Sequence, residues 1–313
     1  MNLIQNPPAP LSVSIACLSC LLAAPLWAQT PSIGGGVCNS GSLNGIYSVS
    51  ITGRQVTAAS SGSATFAGVF QANGSATFDG LSKVTIALTA DTNQAASSAL
   101  AWSGTYSVQA NCAGVMTIST GGSATLNLAL YDSGVDFLVS GSDATYTYSG
   151  SGLTQPAGCS LSTLSGVYSL TGTGFTLNAT AVSGAENGTG LLQFDGQGHV
   201  TVNLTTSLAG APSAPLTLTG TYTVSSACLG SAALTDTASN AYVMSLSIYN
   251  MNVASTAFYA MLSESSKFLI AGSGHALYGQ PASSAARGGP NSPPPSEMFA
   301  KEWSGYAGVE QYS

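Results

Sequence analysis

The sequence predicts an all-β protein of two tandem antiparallel up-and-down β-barrels, each with one disulfide inside itself, and three observations carry that expectation. Apolar residues alternate with Ser and Thr at a period of two through most of the chain. A marked set of residues recurs after about 116 to 121 positions, and each copy brings its own pair of cysteines. Period-two alternation describes a strand with one packed and one wet face, and many such strands in meander order close into a barrel or stack as a sandwich. Closure is the better expectation, because open edges need charged guards and only 5% of these residues are charged.

The strands are read in pairs. In "LAWSGTYSV" the residues Leu100, Trp102, Gly104, Tyr106 and Val108 share one face; in "LTLTGTYTV" so do Leu216, Leu218, Gly220, Tyr222 and Val224. The opposite faces are almost wholly Ser and Thr, which the alternation turns toward water. A glycine inside both packed faces lets a strand bend or a neighbouring backbone come close. "KVTIALT", "TLNLAL", "HVTVNL" and "YVMSLSI" alternate in the same way, giving seven or eight strands to a copy. No segment sustains a helical period.

The recurring order is Cys, L-x-G-x-Y-S, F-D-G, G-T-Y-x-V, Cys. It runs through Cys38, Leu43–Ser48, Phe78–Gly80 and Gly104–Val108 to Cys112, then again through Cys159, Leu164–Ser169, Phe194–Gly196 and Gly220–Val224 to Cys228. This is the mark of a tandem duplication. Four cysteines allow three pairings. One pair per copy favours Cys38 with Cys112 and Cys159 with Cys228, over four free thiols or a shared metal site. Such bridges place the chain in an oxidising compartment and stabilise each domain by about 4 kcal/mol in the chain-entropy account.

The flanks follow. Residues 1–28 read as a signal peptide cut after Ala28, apolar from Leu11 onward and carrying Cys17 and Cys20 away with it. The first ten residues hold no Lys or Arg, so a retained membrane anchor is the alternative. Residues 38–150 and 159–279 are the two repeats, joined by a short link within "SGSGLTQPAG". Residues 280–313 are a Pro/Ser/Gly-rich linker and an unstructured tail.

Candidate chemistry is sparse. Twelve acids against five bases leave a net charge of −7 with no basic cluster, which excludes nucleic acid as a partner. His199 has Lys83 at the corresponding place in the first copy, so a shared role cannot depend on it; His275 also stands in the second copy alone. Asp79 and Asp195 belong to "FDG" turns, where Asp-Gly favours a tight reversal and one carboxylate is too few for calcium. Asp132 and Asp136 lack a matching pair in the second copy. No nucleophile elbow or phosphate loop is present. The residues point away from an enzyme, and no catalytic residue, metal or cofactor is expected.

The Cys-x4-L-x-G-x-Y, F-D-G and G-T-Y-x-V signature resembles a group of uncharacterised secreted bacterial proteins with calycin-like barrels, similar in outline to the allene oxide cyclase barrel. The likeness covers residues 38–150 and 159–279. Avidins and lipocalins open with a comparable strand but use Trp where this chain has Tyr47 and Tyr168, so a biotin pocket is not implied. No cyclase residue can be carried over. The resulting expectation is an extracellular or periplasmic, non-catalytic binding or surface-interaction protein, meeting no membrane after leader cleavage. Its partner would be a cell-surface molecule or a small apolar ligand. The alternative is a carrier of such a ligand, or a cyclase- or isomerase-like enzyme acting on it inside a barrel, where Tyr47, Trp102, Tyr106, Tyr168 and Tyr222 would line the pocket. A Ser/Thr-rich β-solenoid adhesin is disfavoured by a repeat of about 120 residues.

Overall fold

A computed structural model describes residues 37–277, apart from 58–64, 93–97, 132–135, 179–180, 209–210, 253–254 and 265–267. The expected leader, the tail 280–313 and Asp132 lie outside the described residues. The first copy folds as β1 (Asn44–Thr57), β2 (Thr65–Asp79), β3 (Lys83–Thr92), β4 (Ser98–Val108), β5 (Ala113–Thr120), β6 (Ala124–Tyr131), β7 (Asp136–Ser142) and β8 (Tyr146–Thr154). Each strand pairs antiparallel with the next and β8 returns to β1, closing the barrel. β8 thereby takes in the first six of the ten residues expected to hold the link.

The second copy folds as β9 (Ser165–Asn178), β10 (Ala181–Asp195), β11 (His199–Leu208), the two-residue β12 (Ala211–Pro212), β13 (Leu216–Val224), β14 (Leu229–Thr235), β15 (Ala241–Asn252), β16 (Ser255–Glu264) and β17 (Phe268–Ala276). β17 pairs with β9 and β10 with β11, so eight strands close this barrel too, and β12 adds only a short flap on β11. The disulfides join Cys38 to Cys112 and Cys159 to Cys228, each within one barrel.

The repeated motif assembles one end of each barrel. After Cys38 a 3-10 turn at Ser40–Ser42, capped by Asn39, swings the chain beneath the barrel and drops Leu43 fully inside. The Tyr106 hydroxyl hydrogen-bonds the carbonyls of Ser40 and Leu43, at 2.9 Å each. Leu161–Thr163, Leu164 and Tyr222 repeat this arrangement, at 2.9 and 2.8 Å to Leu161 and Leu164. The disulfide then ties the turn to the far end of the Tyr106 strand, which accounts for a cysteine closing each copy of that strand.

Cys112 and Cys228 themselves sit at φ 65° and 58°. Gln109 N–H bonds the Ala113 carbonyl and Cys112 N–H the Gln109 carbonyl, a three-residue hairpin whose last position normally falls to Gly. A side chain there costs about 1–2 kcal/mol. The crosslink supplies the constraint that holds it.

The two barrels dock side by side, and here the structure corrects the sequence reading that every hydroxyl face meets water. The outer faces of β1 and β2 lie across the outer faces of β15, β16 and β17, burying Ser48, Asn73, Ser245 and Ser247. Asn73 Nδ2 donates to the Ser245 carbonyl (2.9 Å) while Ser245 Oγ donates to Asn73 Oδ1 (2.7 Å). Ser48 and Ser247 donate to the carbonyls of Ile248 and Gly74. Short polar side chains can enter a buried interface because carbonyls on the facing strands satisfy them. Two small apolar clusters complete the seam. Val69 packs with Met261, Leu269 and Phe175, and Leu153 with Tyr249, Ala257 and Tyr259.

Candidate functional site

The sequence-predicted ring residues all point into the barrels. Tyr47 and Tyr106 stand edge-on to Phe78, at centroid distances of 5.4 and 4.8 Å, and Phe137 closes the group. Tyr168, Tyr222, Phe194 and Phe258 build the same group in the second barrel. Aromatic edge-to-face packing at these distances fills space and adds about 0.5–1.5 kcal/mol a pair. Burial pushes the Tyr106 and Tyr168 hydroxyls up to about 12, so they remain neutral. Periodicity alone does not show that Phe137 and Phe258 belong here. Each lies opposite a glycine, Gly152 and Gly274, where an added Cβ would come within 2.2 Å of the ring.

Trp102 lies at the other end of the first barrel, stacked with Phe70 at 6.2 Å and edge-on to Tyr148. Phe70, Trp102 and Tyr148 are buried, and Tyr146 packs beside them. The corresponding end of the second barrel replaces Phe70 with Glu186, Trp102 with Leu218 and Tyr148 with Ile270, all buried. Glu186 there accepts a hydrogen bond from Thr176 Oγ1 at 3.3 Å.

A concavity lies outside both barrels, at their junction, with walls drawn from each. This groove has a volume of about 550 Å³. One wall carries Ser50 and Thr52 from β1 with Ser149 and Ser151 from β8; the other carries Thr171 and Thr173 from β9, Asn187 from β10 and Ser273 from β17. Gly150, Gly172, Gly188 and Gly272 form much of its floor, and Tyr259 closes one end, its hydroxyl 2.7 Å from Ser151 Oγ. Among the described residues no charged side chain lines it. Arg54 stands near this seam, its guanidinium 5.8 Å from the centre of the Phe175 ring.

Hydroxyls and an amide both donate and accept, so the walls can form directional hydrogen bonds to an uncharged molecule. They offer no counter-charge to an ion. The sequence marked these residues only as solvated strand faces, since nothing in a period of two shows which two faces will meet across a seam.

The other candidates take local roles. Asp79 Oδ1 accepts the N–H groups of Leu81, Ser82 and Lys83, each at 2.8 Å, and these bonds hold its carboxyl below the usual range. Asp195 Oδ1 accepts from His199 and Gln197, lowering its pKa to about 2, and its Oδ2 lies 2.8 Å from the exposed His199 ring. These are turn-forming carboxylates. Asp136 Oδ1 accepts from Thr154 N–H at 3.3 Å, and His275 Nε2 lies 3.2 Å from Ser273 Oγ. Among the described residues no three His, Cys, Asp or Glu side chains gather as a metal site, and no helix is long and apolar enough to cross a membrane.

Two crosslinked eight-stranded barrels, docked through hydroxyl-bearing faces with a neutral groove at the junction, define a tandem-barrel protein. No family model and no curated relative matches the chain. Among solved structures, the isotype 1 transferrin binding protein B from serogroup B Neisseria meningitidis aligns at 9% identity and a TM-score of 0.23, over 75% of this chain and 77% of that one. The same protein from Haemophilus parasuis, as a double mutant, aligns at 8% and 0.25, over 74% and 75%. A protein of unknown function from the DUF3598 family of Nostoc punctiforme aligns at 8% and 0.22, over 76% and 98%. Likenesses at this level carry no argument about partner or ancestry, and the architecture rests on the strand pairing of the chain itself.

Proposed function

We propose that this chain is a secreted, non-catalytic binding or surface-interaction module that takes an uncharged, hydrogen-bonding partner in the groove between its barrels. The observation that carries the reading is the contrast between interior and junction. Interlocked rings fill the stapled end of both barrels, whereas the groove presents hydroxyls, an amide and a glycine floor to solvent. Such a surface suits a saccharide, whose hydroxyls need paired donors and acceptors and no counter-ion. The reading keeps the calycin-like resemblance, for which the meander order and the repeated signature speak, and the extracellular or periplasmic placement, for which the leader and the disulfides speak.

The test is a panel of neutral saccharides screened by NMR against the two-barrel protein with both disulfides intact. A binding saccharide should shift resonances of Thr171, Asn187 and Ser149, and Thr171→Arg together with Ser149→Arg should abolish the shifts by blocking the groove. Shifts confined to Trp102 and Tyr146, induced by an apolar ligand and untouched by those variants, would instead establish the carrier or enzyme alternative. N-terminal sequencing of the exported protein should begin at Gln29.

A further inference from the structure

The seam between the barrels holds a cross-strand pair that hydrogen bonding cannot satisfy while its acid is ionised. Gln71 on β2 and Asp91 on β3 are register partners, and both side chains point outward, toward the second barrel. Their relative exposures are 2% and 4%. Opposed residues on neighbouring antiparallel strands place their Cβ atoms about 4.5–5.5 Å apart, so these two side chains leave adjacent positions on the same face. Gln71 Nε2 donates across the seam to the Thr173 carbonyl at 3.3 Å, and the Asp91 carboxyl takes a hydrogen bond from the Ser263 hydroxyl. What remains is Gln71 Oε1 and Asp91 Oδ1, both buried and both without a partner among the described residues.

Two acceptors cannot pair with each other. Turning the amide would offer Nε2 to Asp91 but would set Oε1 against the Thr173 carbonyl, exchanging one conflict for another. A proton on Asp91 resolves both at once, because the acid then donates to Gln71 Oε1 while its second oxygen still accepts from Ser263.

We propose that Asp91 and Gln71 form a proton-dependent clasp between the two barrels, closed when the Asp91 carboxyl is protonated and loosened when it ionises. Burial is the main influence on this carboxyl and lifts it to about 6, with the Ser263 hydroxyl acting in the opposite direction. No charged neighbour contributes. On β3 itself Lys83 lies at the opposite end of the strand, and on β2 Asp79 lies in the far turn. On β1, Arg54 is paired with Val69, beside Gln71 but two strands from Asp91. From the second barrel, β16 brings Ser263, whose neighbour Glu264 points the other way, into its own barrel. Val243 and Leu269 flank Ser263 on β15 and β17, and neither titrates.

The sign follows from the raised value. Between about pH 4, where an unfolded chain releases this proton, and about pH 6, the folded protein binds more protons than the unfolded chain. The clasp is therefore complete below that window and lost as pH rises through it. Because the groove draws its walls from both barrels, its width would follow the same titration.

The direct experiment follows the Asp91 carboxyl carbon by NMR in the intact two-barrel protein. A midpoint near 6 is expected; a midpoint in the ordinary carboxylate range, near 4, would overturn the proposal. A second measurement uses Asp91→Asn, whose amide donates to Gln71 Oε1 at every pH while its oxygen still accepts from Ser263. Hydrogen exchange across β2 and β16, corrected for intrinsic rates, should slow by up to about a hundredfold from pH 8 to pH 4 in the native protein. It should not depend on pH in Asp91→Asn, and parallel profiles in the two proteins would defeat the idea. Neither readout depends on the groove having a ligand, so failure of the clasp and failure of the binding reading remain separable.

Discussion

The two ends of each barrel have diverged to different degrees. At the stapled end the copies are nearly superimposable in chemistry: a 3-10 turn after the first cysteine, a buried leucine, a tyrosine hydroxyl on the turn carbonyls, four interlocked rings and a crosslinked hairpin. At the opposite end Phe70 has become Glu186, Trp102 has become Leu218, and Tyr148 has become Ile270. The stapled end unites residues far apart in sequence through one packed cluster, so a change at any member disturbs the rest. The opposite end tolerates exchange between an aromatic plug and a hydrogen-bonded carboxylate. The difference locates the common structural requirement of the fold.

Three experiments can break or sharpen that comparison. The largest effect should come from the crosslinks: replacing Cys38 and Cys112 by Ser, or Cys159 and Cys228, should cost about 4 kcal/mol in either barrel, roughly 10 °C in Tm. Chemical denaturation would read this, and a loss in one barrel only would show that the stapled ends are not equivalent. Next come the glycines opposite the central rings. Gly152→Ala and Gly274→Ala should each cost about 1–3 kcal/mol, because the methyl group is forced against Phe137 or Phe258 in a filled space. Tolerance of either change would mean that the ring cluster has room its geometry denies.

The smallest effect belongs to the "FDG" turns. Asp195 titrates low, at about 2, so its contribution is present above the ordinary carboxylate range and disappears as pH falls from about 4 through 2. Asp195→Asn should flatten that acid limb of the stability curve, and Asp79→Asn should do the same in the first barrel. An unchanged acid limb in both variants would remove the turn carboxylates from the account.

Much of this was legible in the residues. The period of two in Leu216–Val224, the doubled Cys, L-x-G-x-Y, F-D-G, G-T-Y order and the pairing of one cysteine couple per copy all led to the architecture seen. The glycine in each G-T-Y strand is also explained: a Cβ at Gly104 or Gly220 would approach within 1.9 Å of a carbonyl oxygen on the next strand. The groove and the clasp were not legible. Ser48, Gln71, Asn73 and Asp91 occupy the same outward-facing pattern as residues that meet solvent, and the pattern cannot say which of them a second barrel will cover.

By itself, the sequence determined the strands, the duplication and the crosslinks. Those features follow from side-chain periodicity and from local turn chemistry repeated in both copies. Only the tertiary structure decided that the hydroxyl faces of β1 and β2 would dry against β15 and β16, leaving a neutral groove beside them and a buried carboxyl between. Docking depends on the shape and hydrogen-bond complementarity of surfaces that are distant in the chain, and alternation along a single strand carries no record of its partner.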